Sequence, residues 1–464
     1  MMSTLIMSLL LVAALAWFGM TMRVKIGVLC RLRPEVRWDH PGQRLLAMLR
    51  VAFAQAKMFK EPLPGLMHAF IFWGFLILLV RSISMVGLAY TATGEWSLLG
   101  FLPALDRSYT WLKDWTELVV LAMVIVALFR RLVIRPERLT ISESGYIILG
   151  LIGLLMVTDF LFDGSRFALG LGIGEKAFAP VGATMASWMS GLPAETLNVM
   201  KTGSYWLHIV TLLYFLNFLP ISKHFHVITA IPNVFFSRLG PAGALTPILD
   251  IENQERFGVS RARDLTWKQA LDGYSCTECG RCSVNCPAYQ SGKSLNPKML
   301  IDDLRDFVKA REDALLKGTE GDEGPSLAET IGEEAVWSCT TCRSCEENCP
   351  VTITHVDKIV DLRRNLVLME GRYNPEIGTA LKNFENKSNP WGLPRNDRGA
   401  WAVEAGAPLL STKKTADVLF FMGCFAAYDD RNKKVAAAVI RLLQRAGVDF
   451  AVLGGTEGCC GDPV

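Results

Sequence analysis

Two cysteine runs of identical spacing constrain this chain more than any other feature. The first consists of Cys276, Cys279, Cys282 and Cys286 before Pro287, and the second of Cys339, Cys342, Cys345 and Cys349 before Pro350. Each has the pattern C-x-x-C-x-x-C-x-x-x-C-P, with which bacterial-type ferredoxins bind [4Fe–4S] clusters. The proline prevents regular structure from continuing and turns the fourth sulfur inward. The spacing therefore predicts two [4Fe–4S] clusters and a chain that carries electrons.

The fourth cysteine of each run is expected to bind the cluster of the other run, as in two-cluster ferredoxins. The predicted ligands are Cys276, Cys279, Cys282 and Cys349 for cluster 1, and Cys339, Cys342, Cys345 and Cys286 for cluster 2. A pair of structural zinc sites is the alternative. Such sites usually take two ligands from each of two separated knuckles, so iron–sulfur clusters are favoured.

Composition indicates a membrane protein with a reduced, cytoplasmic portion. The 464 residues leave room for two or three domains. A hydrophobic fraction of 51% and a mean hydropathy of +0.27 are high for a soluble protein of this length. The net charge of +3 does not suggest a nucleic-acid partner. Twelve cysteines, eight of them in metal spacing, argue against a disulfide framework and place the cysteine-rich half in a reducing compartment.

Five apolar stretches are long enough to cross a bilayer, which takes about 20 residues. They cover roughly residues 5–22, 67–89, 115–129, 146–162 and 205–221. The first could be a signal peptide, but no positive charge precedes it, and Arg23 and Lys25 follow it closely. This arrangement favours a retained helix with its N-terminus outside.

The connections between these stretches differ in positive charge. The connections after the first and third stretches carry Arg23, Lys25, Arg31, Arg33, Arg37, Arg44, Arg50, Lys57 and Lys60, and Arg130, Arg131, Arg135 and Arg138. By the positive-inside rule both are cytoplasmic. Five spans that start outside end inside, so a multi-pass protein of a prokaryotic cytoplasmic membrane is predicted, with its iron–sulfur domain in the cytoplasm.

Four of the six histidines lie in or beside the spans, namely His68, His208, His224 and His226. His68 begins the second span, and His224 and His226 follow the fifth, so all three are predicted at the cytoplasmic end. We expect His68 to pair with His224 or His226 as ligands of one haem b, although His224 and His226 could instead be interfacial residues. His208 lies about 24 Å further out, and a second haem there would need a non-histidine partner or another helix register.

Arg81 and Asp159 are conspicuous charges within apolar stretches. Each lies about fourteen residues into a span that runs outward, so the two could meet at one depth, as an ion pair or in the wall of a quinone pocket. Alternatively, both lie near the outer interface, where Arg81 would extend to water.

The polar half is predicted to be mostly helical around the clusters. Residues 297–316 and 356–369 have apolar side chains at helical spacing, and His355 is expected on a helix surface. Residues 417–422 and 450–453 have the composition of buried strands on either side of a helix at 433–446, which begins an α/β module. The predicted domains are therefore residues 1–235, 236–386 and 387–464.

The order of these parts, with Gly423-Cys424 and the run 459–463 (Cys-Cys-Gly-Asp-Pro), resembles one family over essentially the whole chain. It comprises membrane-bound relatives of the heterodisulfide reductase iron–sulfur subunit, of the fused electron-transfer-flavoprotein:menaquinone oxidoreductase type. The resemblance implies an all-α, five-helix cytochrome b domain like the nitrate reductase gamma subunit, with haem ligands on helices two and five. A helical two-[4Fe–4S] ferredoxin domain and cysteine-rich CCG modules of α/β structure follow in that family.

The resemblance also implies a function. A soluble donor, electron transfer flavoprotein, would reduce the clusters, and the electrons would reach a membrane quinone. The alternatives are a heterodisulfide-reductase-like subunit that acts on a thiol or disulfide substrate, and a non-catalytic anchor. The family's CCG module continues beyond the present sequence, so a C-terminally truncated chain is expected. Its Cys424, Cys459 and Cys460 would then be partial ligands of a third, non-cubane [4Fe–4S] cluster. No catalytic side chain is predicted.

Overall fold

The computed structural model describes residues 2–91, 95–319 and 324–461, and it divides into two compact units, Met1–Asn365 and Leu366–Val464. Asp462 and Pro463, which contribute to the family resemblance, lie outside the described residues. The three domains inferred from the sequence stay a prediction. The two compact units are defined by packing, whereas the three domains were defined by sequence motifs.

The N-terminal half of the first unit consists of helices. They are α1 (Met2–Arg31), α2 (Pro41–Ala47), α3 (Pro62–Leu88), α4 (Pro103–Phe129), α5 (Glu143–Ala168), α6 (Ile173–Lys176), α7 (Pro180–Met189), α8 (Ala194–Phe218) and α9 (His226–Phe235). Helices α3, α4 and α7 each have a proline in the first turn, where the missing amide costs no hydrogen bond. Helices α3, α4, α5 and α8 pack through apolar side chains such as Leu78, Val120 and Leu155.

Four helices among the described residues are long and apolar enough to cross a membrane: Ser3–Arg31, Pro62–Leu88, Glu143–Ala168 and Ala194–Ile221. The predicted span at 115–129 lies in α4, which is 27 residues long but carries Lys113, Asp114 and Glu117. With these three charges, α4 is too polar to count among the helices that could cross a membrane. All three are at most 1% exposed, because α4 turns them towards α5 and α7.

The cysteine region of the first unit is helical, as predicted. Its helices are α10 (Trp267–Ser275), α11 (Arg281–Val284), α12 (Pro287–Gln290), α13 (Pro297–Lys309), α14 (Glu312–Lys317), α15 (Leu327–Ile331), α16 (Glu333–Trp337), α17 (Ser344–Asn348) and α18 (Val356–Leu368). Thr266 caps α10 in a capping box with Gln269, and Asn296 caps α13. These caps fix where each helix starts relative to the neighbouring cysteines.

The basic connection between α1 and α3 contacts this cysteine region directly. Lys25 forms an ion pair with Glu312 at 2.5 Å, and the backbone amide of Arg33 donates to the carbonyl of Leu265 at 3.0 Å. Lys57 and Lys60 donate to the backbone carbonyls of Glu346 and Glu347 at 3.3 and 3.0 Å. The cysteine region therefore lies at the end of the helices where the basic connections are.

The second unit has a strand, a helix and a strand in the predicted order, but the first strand is short and exposed, and not buried as predicted. Strands β1 (Val418–Leu419) and β2 (Phe450–Ala451) are parallel, with Val418 opposite Phe450. The helices of this unit are α19 (Pro375–Lys387), α20 (Ala400–Glu404), α21 (Leu410–Lys413), α22 (Gly423–Tyr428) and α23 (Asp430–Arg445). Ile440 of α23 is buried with Phe450 and Val452, so the helix covers the short sheet.

A buried ionic network joins α9, α10 and α18. Asp272 accepts hydrogen bonds from Lys268 at 2.6 Å and from Lys358 at 2.5 Å. Lys268 also donates to Asn233 at 2.9 Å, and Asn233 donates to the carbonyl of Val351 at 2.9 Å. Although burial acts to raise it, Lys268 and Lys358 hold the pKa of Asp272 well below its ordinary value. One carboxylate thus connects the helix that precedes the first cysteine motif with the helix that follows the second.

We expect Asp272→Asn to lower the free energy of unfolding by about 3 kcal/mol or more, because two buried ammonium groups lose their counter-charge. The folded-state pKa of Asp272 is depressed, so its stabilisation is full above about pH 4, the ordinary pKa of an unfolded aspartate, and is lost as the pH falls further. Thermal unfolding of the detergent-solubilised protein at pH 7 measures the loss. Asp303→Asn, on the neighbouring helix α13, serves as the control, and equal melting of the two variants would contradict the assigned role.

Candidate metal centres

The two cysteine motifs have the same backbone conformation. In the first, Glu278 and Gly280 have positive φ angles of 50° and 72°, and in the second, Thr341 and Arg343 have 55° and 59°. Each left-handed residue follows a motif cysteine by one or two positions, and such turns bring successive side chains to the same side of the loop. The repeat seen in the sequence is therefore also a structural repeat.

All four thiols predicted for cluster 2 line one small cavity. They are Cys286, Cys339, Cys342 and Cys345, and Cys286 comes from the first motif. The exchange of the fourth cysteine is therefore present in the packing of the chain. We propose that these four thiolates bind one cluster, and their position around one cavity supports this.

The thiols predicted for cluster 1 lie close enough to affect one another's pKa. Burial, together with the neighbouring Cys349 and Cys279, raises the pKa of Cys282 to about 12. Burial likewise raises the pKa of Cys349 to about 11, with Cys279 adding to the effect. Cys276 is also buried, and Cys279 and Cys282 are among the groups that raise its pKa. Cys349, from the second motif, thus lies beside the cysteines of the first.

Backbone amides contact two of the motif sulfurs. Among the described residues, no group of three or more His, Cys, Asp or Glu side chains is placed to hold one metal ion. Backbone amides of Thr341 and Ile353 donate to the sulfurs of Cys339 and Cys349 at 3.4 and 3.3 Å, which is the kind of contact that tunes a cluster potential. Burial raises the pKa of five of these thiols, so iron binding would release their protons; they are Cys276, Cys282, Cys339, Cys345 and Cys349.

His355 does not lie on a helix surface, contrary to the prediction. It is 3% exposed and lines the cavity of the cluster 2 thiols. Its Nδ1 lies 3.3 Å from the carbonyl of Ile353, and burial lowers its pKa to about 4, so the ring is neutral at pH 7. Helical periodicity identifies an apolar face but does not reveal that a polar ring borders a cavity.

Arg281, which no sequence pattern singled out, attaches the first motif to the membrane helices. Its guanidinium donates to the carbonyls of Lys57 and Met58 at 2.8 and 3.0 Å, and its Nε lies 3.1 Å from Glu61. Glu61 also pairs with Arg138 of the connection between α4 and α5. The sequence offered one indication of this role, which is the position of Arg281 between two motif cysteines.

His68, His224 and His226 lie near one another at this end of the helices. His68 and His226 lie close enough for their charges to interact. The Nδ1 of His68 lies 3.2 Å from the amide oxygen of Gln55, whose NH₂ group donates to Ala52, and the Nδ1 of His226 lies 3.1 Å from the carbonyl of Lys223. Both acceptors require a proton on Nδ1. Each ring then has its lone pair on Nε2, the usual tautomer of a metal-binding histidine.

His224 differs from these two rings. Its centroid is 5.6 Å from that of His226, and its buried Nδ1 has no hydrogen-bond partner among the described residues. His208 is separate from the group: its Nδ1 lies 3.1 Å from the hydroxyl of Thr158, which itself donates to the carbonyl of Leu154 at 2.7 Å. His208 therefore also has its lone pair on Nε2. Of the two partners left open for His68, the tautomers favour His226.

Arg81 and Asp159 form a buried ion pair. Arg81 Nη2 lies 2.7 Å from Asp159 Oδ1 and 2.7 Å from Asp163 Oδ1. Both residues are buried, so the alternative in which Arg81 extends to water at the interface is wrong. A buried ion pair between Arg81 and two aspartates therefore joins helix α3 to helix α5.

In the second unit, a buried ion pair organises the cysteines. Glu457 accepts hydrogen bonds from Arg398 at 2.8 Å and from the backbone amides of Met422 and Gly423, both at 2.9 Å. Arg398 also lies 3.6 Å from the sulfur of Cys424. Glu457 thus ties the segment just before Cys459 to the turn that carries Cys424. Whether these thiols and Cys460 hold a third cluster stays a prediction.

We expect Gly280→Ala to detach the first motif from the helices. A Cβ at Gly280 would meet the backbone oxygen of Arg138 at 2.4 Å, in a residue that also has a positive φ. Gly292→Ala is a matched control, because Gly292 has a φ of +77° with nothing within 4 Å. Both variants place an alanine at a positive φ, which lowers the free energy of unfolding. The clash should lower it in G280A by about 1–3 kcal/mol more. Thermal unfolding distinguishes them, and equal stabilities would contradict the close approach.

Comparison with known proteins agrees with this arrangement. Residues 272–353 match the family model of the 4Fe-4S dicluster domain, and residues 418–464 match that of a cysteine-rich domain named CCG. The EtfAB:quinone oxidoreductase of Syntrophomonas wolfei is 34% identical over 96% of this chain and 66% of its own length. The "Probable iron-sulfur-binding oxidoreductase FadF" of Bacillus subtilis is 34% identical over 90% of this chain and 64% of its own.

A more distant relative matches only part of the chain. One component of the dihydromethanophenazine:CoB–CoM heterodisulfide reductase of Methanosarcina acetivorans is 32% identical over 43% of the chain and 48% of its own length. No solved structure matches significantly. The chain spans just under two thirds of the length of the EtfAB:quinone oxidoreductase and FadF relatives. With its dicluster and CCG domains, the chain belongs among the heterodisulfide-reductase-related iron–sulfur oxidoreductases as a homologue of EtfAB:quinone oxidoreductase and FadF.

Proposed function

We propose that this chain passes electrons from a soluble cytoplasmic flavoprotein, electron transfer flavoprotein, to a quinone in the membrane. The donor and the acceptor are those for which the relative from Syntrophomonas wolfei is named, and that relative aligns with 96% of this chain. The four apolar helices provide contact with a membrane-dissolved acceptor, and the cysteine region is available to a soluble donor.

One observation carries the proposal: a single short segment contacts both the first cysteine motif and the candidate haem ligand. Arg281, next to Cys282, binds the carbonyls of Lys57 and Met58, and Gln55 lies 3.2 Å from His68. Only a few residues of backbone therefore separate the two sites. A redox protein that kept its electrons in the soluble portion would have no use for this connection.

The residues would hold the carriers as follows. Cys276, Cys279, Cys282 and Cys349 would hold one [4Fe–4S] cluster, and Cys339, Cys342, Cys345 and Cys286 the other, while His68 and His226 would hold one haem b. When bound, these groups supply one-electron carriers between a flavin and a quinone. The chain itself orients the rings through Gln55 and the Lys223 carbonyl, and four of the eight thiols are buried.

The orientation proposed is that of a bacterial-type cytoplasmic membrane protein with its N-terminus outside. Two features support it. The connections that carry the basic residues also contact the cysteine region, through Lys25, Lys57 and Lys60 on one side and Arg138 on the other. Positive connections and reduced thiols both belong in the cytoplasm. Protease accessibility of a tag at the N-terminus of spheroplasts would test the orientation.

We expect His226→Ala to abolish the reduced b-type absorption band, as His68→Ala should, while His224→Ala retains it. The reason is that His68 and His226 have Nδ1 hydrogen-bonded and Nε2 free, whereas His224 has no such orienting partner among the described residues. Optical spectra of reduced membranes measure the band, and electron paramagnetic resonance signals of the clusters serve as the internal control for folding. A band that survives in H226A and disappears in H224A would reverse the assignment.

The function itself is tested with membranes that contain the full chain. Reduced electron transfer flavoprotein and a soluble menaquinone analogue are added, and oxidation of the flavin is followed optically. We expect oxidation that depends on the quinone, and its loss in Cys282→Ser, which removes a cluster 1 ligand. Cys30→Ser changes an exposed cysteine outside both motifs and should keep the wild-type rate. Flavin oxidation that requires a disulfide in place of the quinone would support the heterodisulfide-reductase-like alternative.

A further inference from the structure

A cavity of about 460 Å³ lies where the apolar helices meet the cysteine region. Its wall includes Phe218 and Ile221, at the end of the candidate span Ala194–Ile221, and Lys25 from the first span. Cys276, a predicted ligand of cluster 1, lines the same cavity. A volume of this size suits a small organic molecule. The cavity therefore adjoins both the apolar helices and one predicted electron carrier.

The same cavity borders the segment that carries two of the candidate haem ligands. Ser222 and Lys223 line the cavity, and they directly precede His224. The carbonyl of Lys223 lies 3.1 Å from the Nδ1 of His226. Phe225, between the two histidines in the chain, is a further part of the wall. A molecule in the cavity would thus contact a cluster ligand and the histidine segment at once.

The wall combines aromatic rings with a few hydrogen-bond donors. Phe218, Phe225 and Tyr274 supply the rings, and the centroids of Phe225 and Tyr274 are 5.6 Å apart. Ser144 of α5 and Lys223 supply donors in the same wall. Aromatic side chains with a small number of placed polar groups are the usual lining of a small-molecule site. A flat ring that carries carbonyl oxygens would match both parts of this wall.

Lys223 has hydrogen-bonding capacity that the described part of the chain does not use. Its half-buried ammonium makes one hydrogen bond there, to the carbonyl of Thr140 at 3.3 Å. It also lies against the first turn of α5, because a Cβ on Gly145 would come within 3.3 Å of its Nζ. An ammonium has three protons to donate, so two remain for a ligand. The chain therefore holds Lys223 in place with donors left for a carbonyl oxygen.

Two other cations of the wall are already paired, which favours an uncharged ligand. Lys25 binds Glu312 at 2.5 Å. Arg305 binds Glu278 at 3.0 Å and Asp306 at 3.1 Å. Glu278 and Asp306 themselves line the cavity, so an anionic lipid headgroup would meet carboxylates as well as cations. A neutral molecule with hydrogen-bond acceptors avoids this repulsion.

We propose that this cavity is the site at which the chain binds and reduces its quinone. The inference rests on the proposed function for the identity of the ligand. Lys223 donates to one quinone carbonyl, and the rings of Phe218, Phe225 and Tyr274 pack against the quinone ring. The quinone enters from the membrane past the end of the span Ala194–Ile221, because that end forms part of the wall.

The reaction in this cavity takes two electrons and two protons. Each quinone C=O group becomes a C–OH group, so the quinone is reduced to a quinol. The electrons are those that the reduced flavin of the donor loses as it is oxidised. The protons come from water, which reaches the cavity at Asp306 and Lys309, the two exposed charged residues of its wall.

Binding is tested with 2-heptyl-4-hydroxyquinoline N-oxide, a quinone-site inhibitor whose fluorescence is quenched when it binds. The inhibitor is titrated into membranes that contain the full chain. Ser144→Phe places a ring in the cavity from the first turn of α5, and we expect it to weaken binding about tenfold or more, because the ring takes the space of the ligand. Ser108→Phe makes the same change at an exposed position of α4 and should bind as the wild type does.

The donor is tested separately with Lys223→Met, which removes the ammonium and keeps the length of the side chain. We expect binding to weaken about tenfold, because a hydrogen bond from a charged group is lost. Lys382→Met removes an exposed lysine of the second unit and should leave binding unchanged. Thermal unfolding shows whether each variant is folded. Inhibitor binding of wild-type strength in folded S144F and K223M would overturn the proposal.

The rate of flavin-dependent quinone reduction separates the site from the function. We expect the rate to fall in S144F as binding does. Inhibitor binding that S144F weakens, without quinone reduction in the wild type, would contradict the proposed function and leave the binding site standing. Quinone reduction at the wild-type rate in S144F would overturn the site and leave the function intact. A phospholipid that native mass spectrometry finds on the wild type and not on S144F, with inhibitor binding unchanged, would assign the cavity to a lipid headgroup and overturn the proposal.

Discussion

The contact of Arg281 with the segment 55–61 is the interaction on which the rest of the arrangement depends. The guanidinium donates hydrogen bonds to the backbone carbonyls of Lys57 and Met58, just before α3, and Glu61 balances its charge. Since Glu61 also binds Arg138, two basic connections and one cysteine motif meet at a single carboxylate. A soluble cluster domain on a flexible tether would not need such a contact. A cluster domain that exchanges electrons with membrane groups does, because its carriers must stay near their partners.

Buried charge recurs at each place where parts of this protein must be held in register. Asp272 joins the two cysteine motifs between two lysines, and Arg398 with Glu457 holds the turn before Cys424. Arg81 does the same for α3 and α5. Such pairs are weak sources of stability, since desolvation offsets much of their attraction, but they disfavour any packing that leaves one partner alone. The electrostatics of the protein therefore serve mainly to fix geometry.

Helix α4 shows how a functional constraint changes a sequence pattern. A helix that faced only lipid or apolar neighbours would have no reason to carry Lys113, Asp114 and Glu117 in one turn. These residues lower its hydropathy below that of a membrane span, yet each is buried against another helix. Their burial means that the polarity is used inside the protein. Intramembrane charges of this kind usually have a function in the transfer of ions or protons.

The sequence by itself determined the local chemistry: the two cysteine motifs, the long apolar helices and the strand–helix–strand order all depend on neighbouring residues, although four of the described helices, and not the predicted five, are apolar enough to cross a membrane. The exchange of Cys286 and Cys349 between the two clusters follows from the spacing of ferredoxin motifs and stays a prediction. Tertiary structure alone decided the rest. The burial of His355 depends on a cavity between helices, and the hydrogen bonds of His68 and His226 depend on segments far from them in the chain or on the local turn. The burial of Lys113, Asp114 and Glu117 depends on the packing of α4 against α5 and α7, which no local pattern contains.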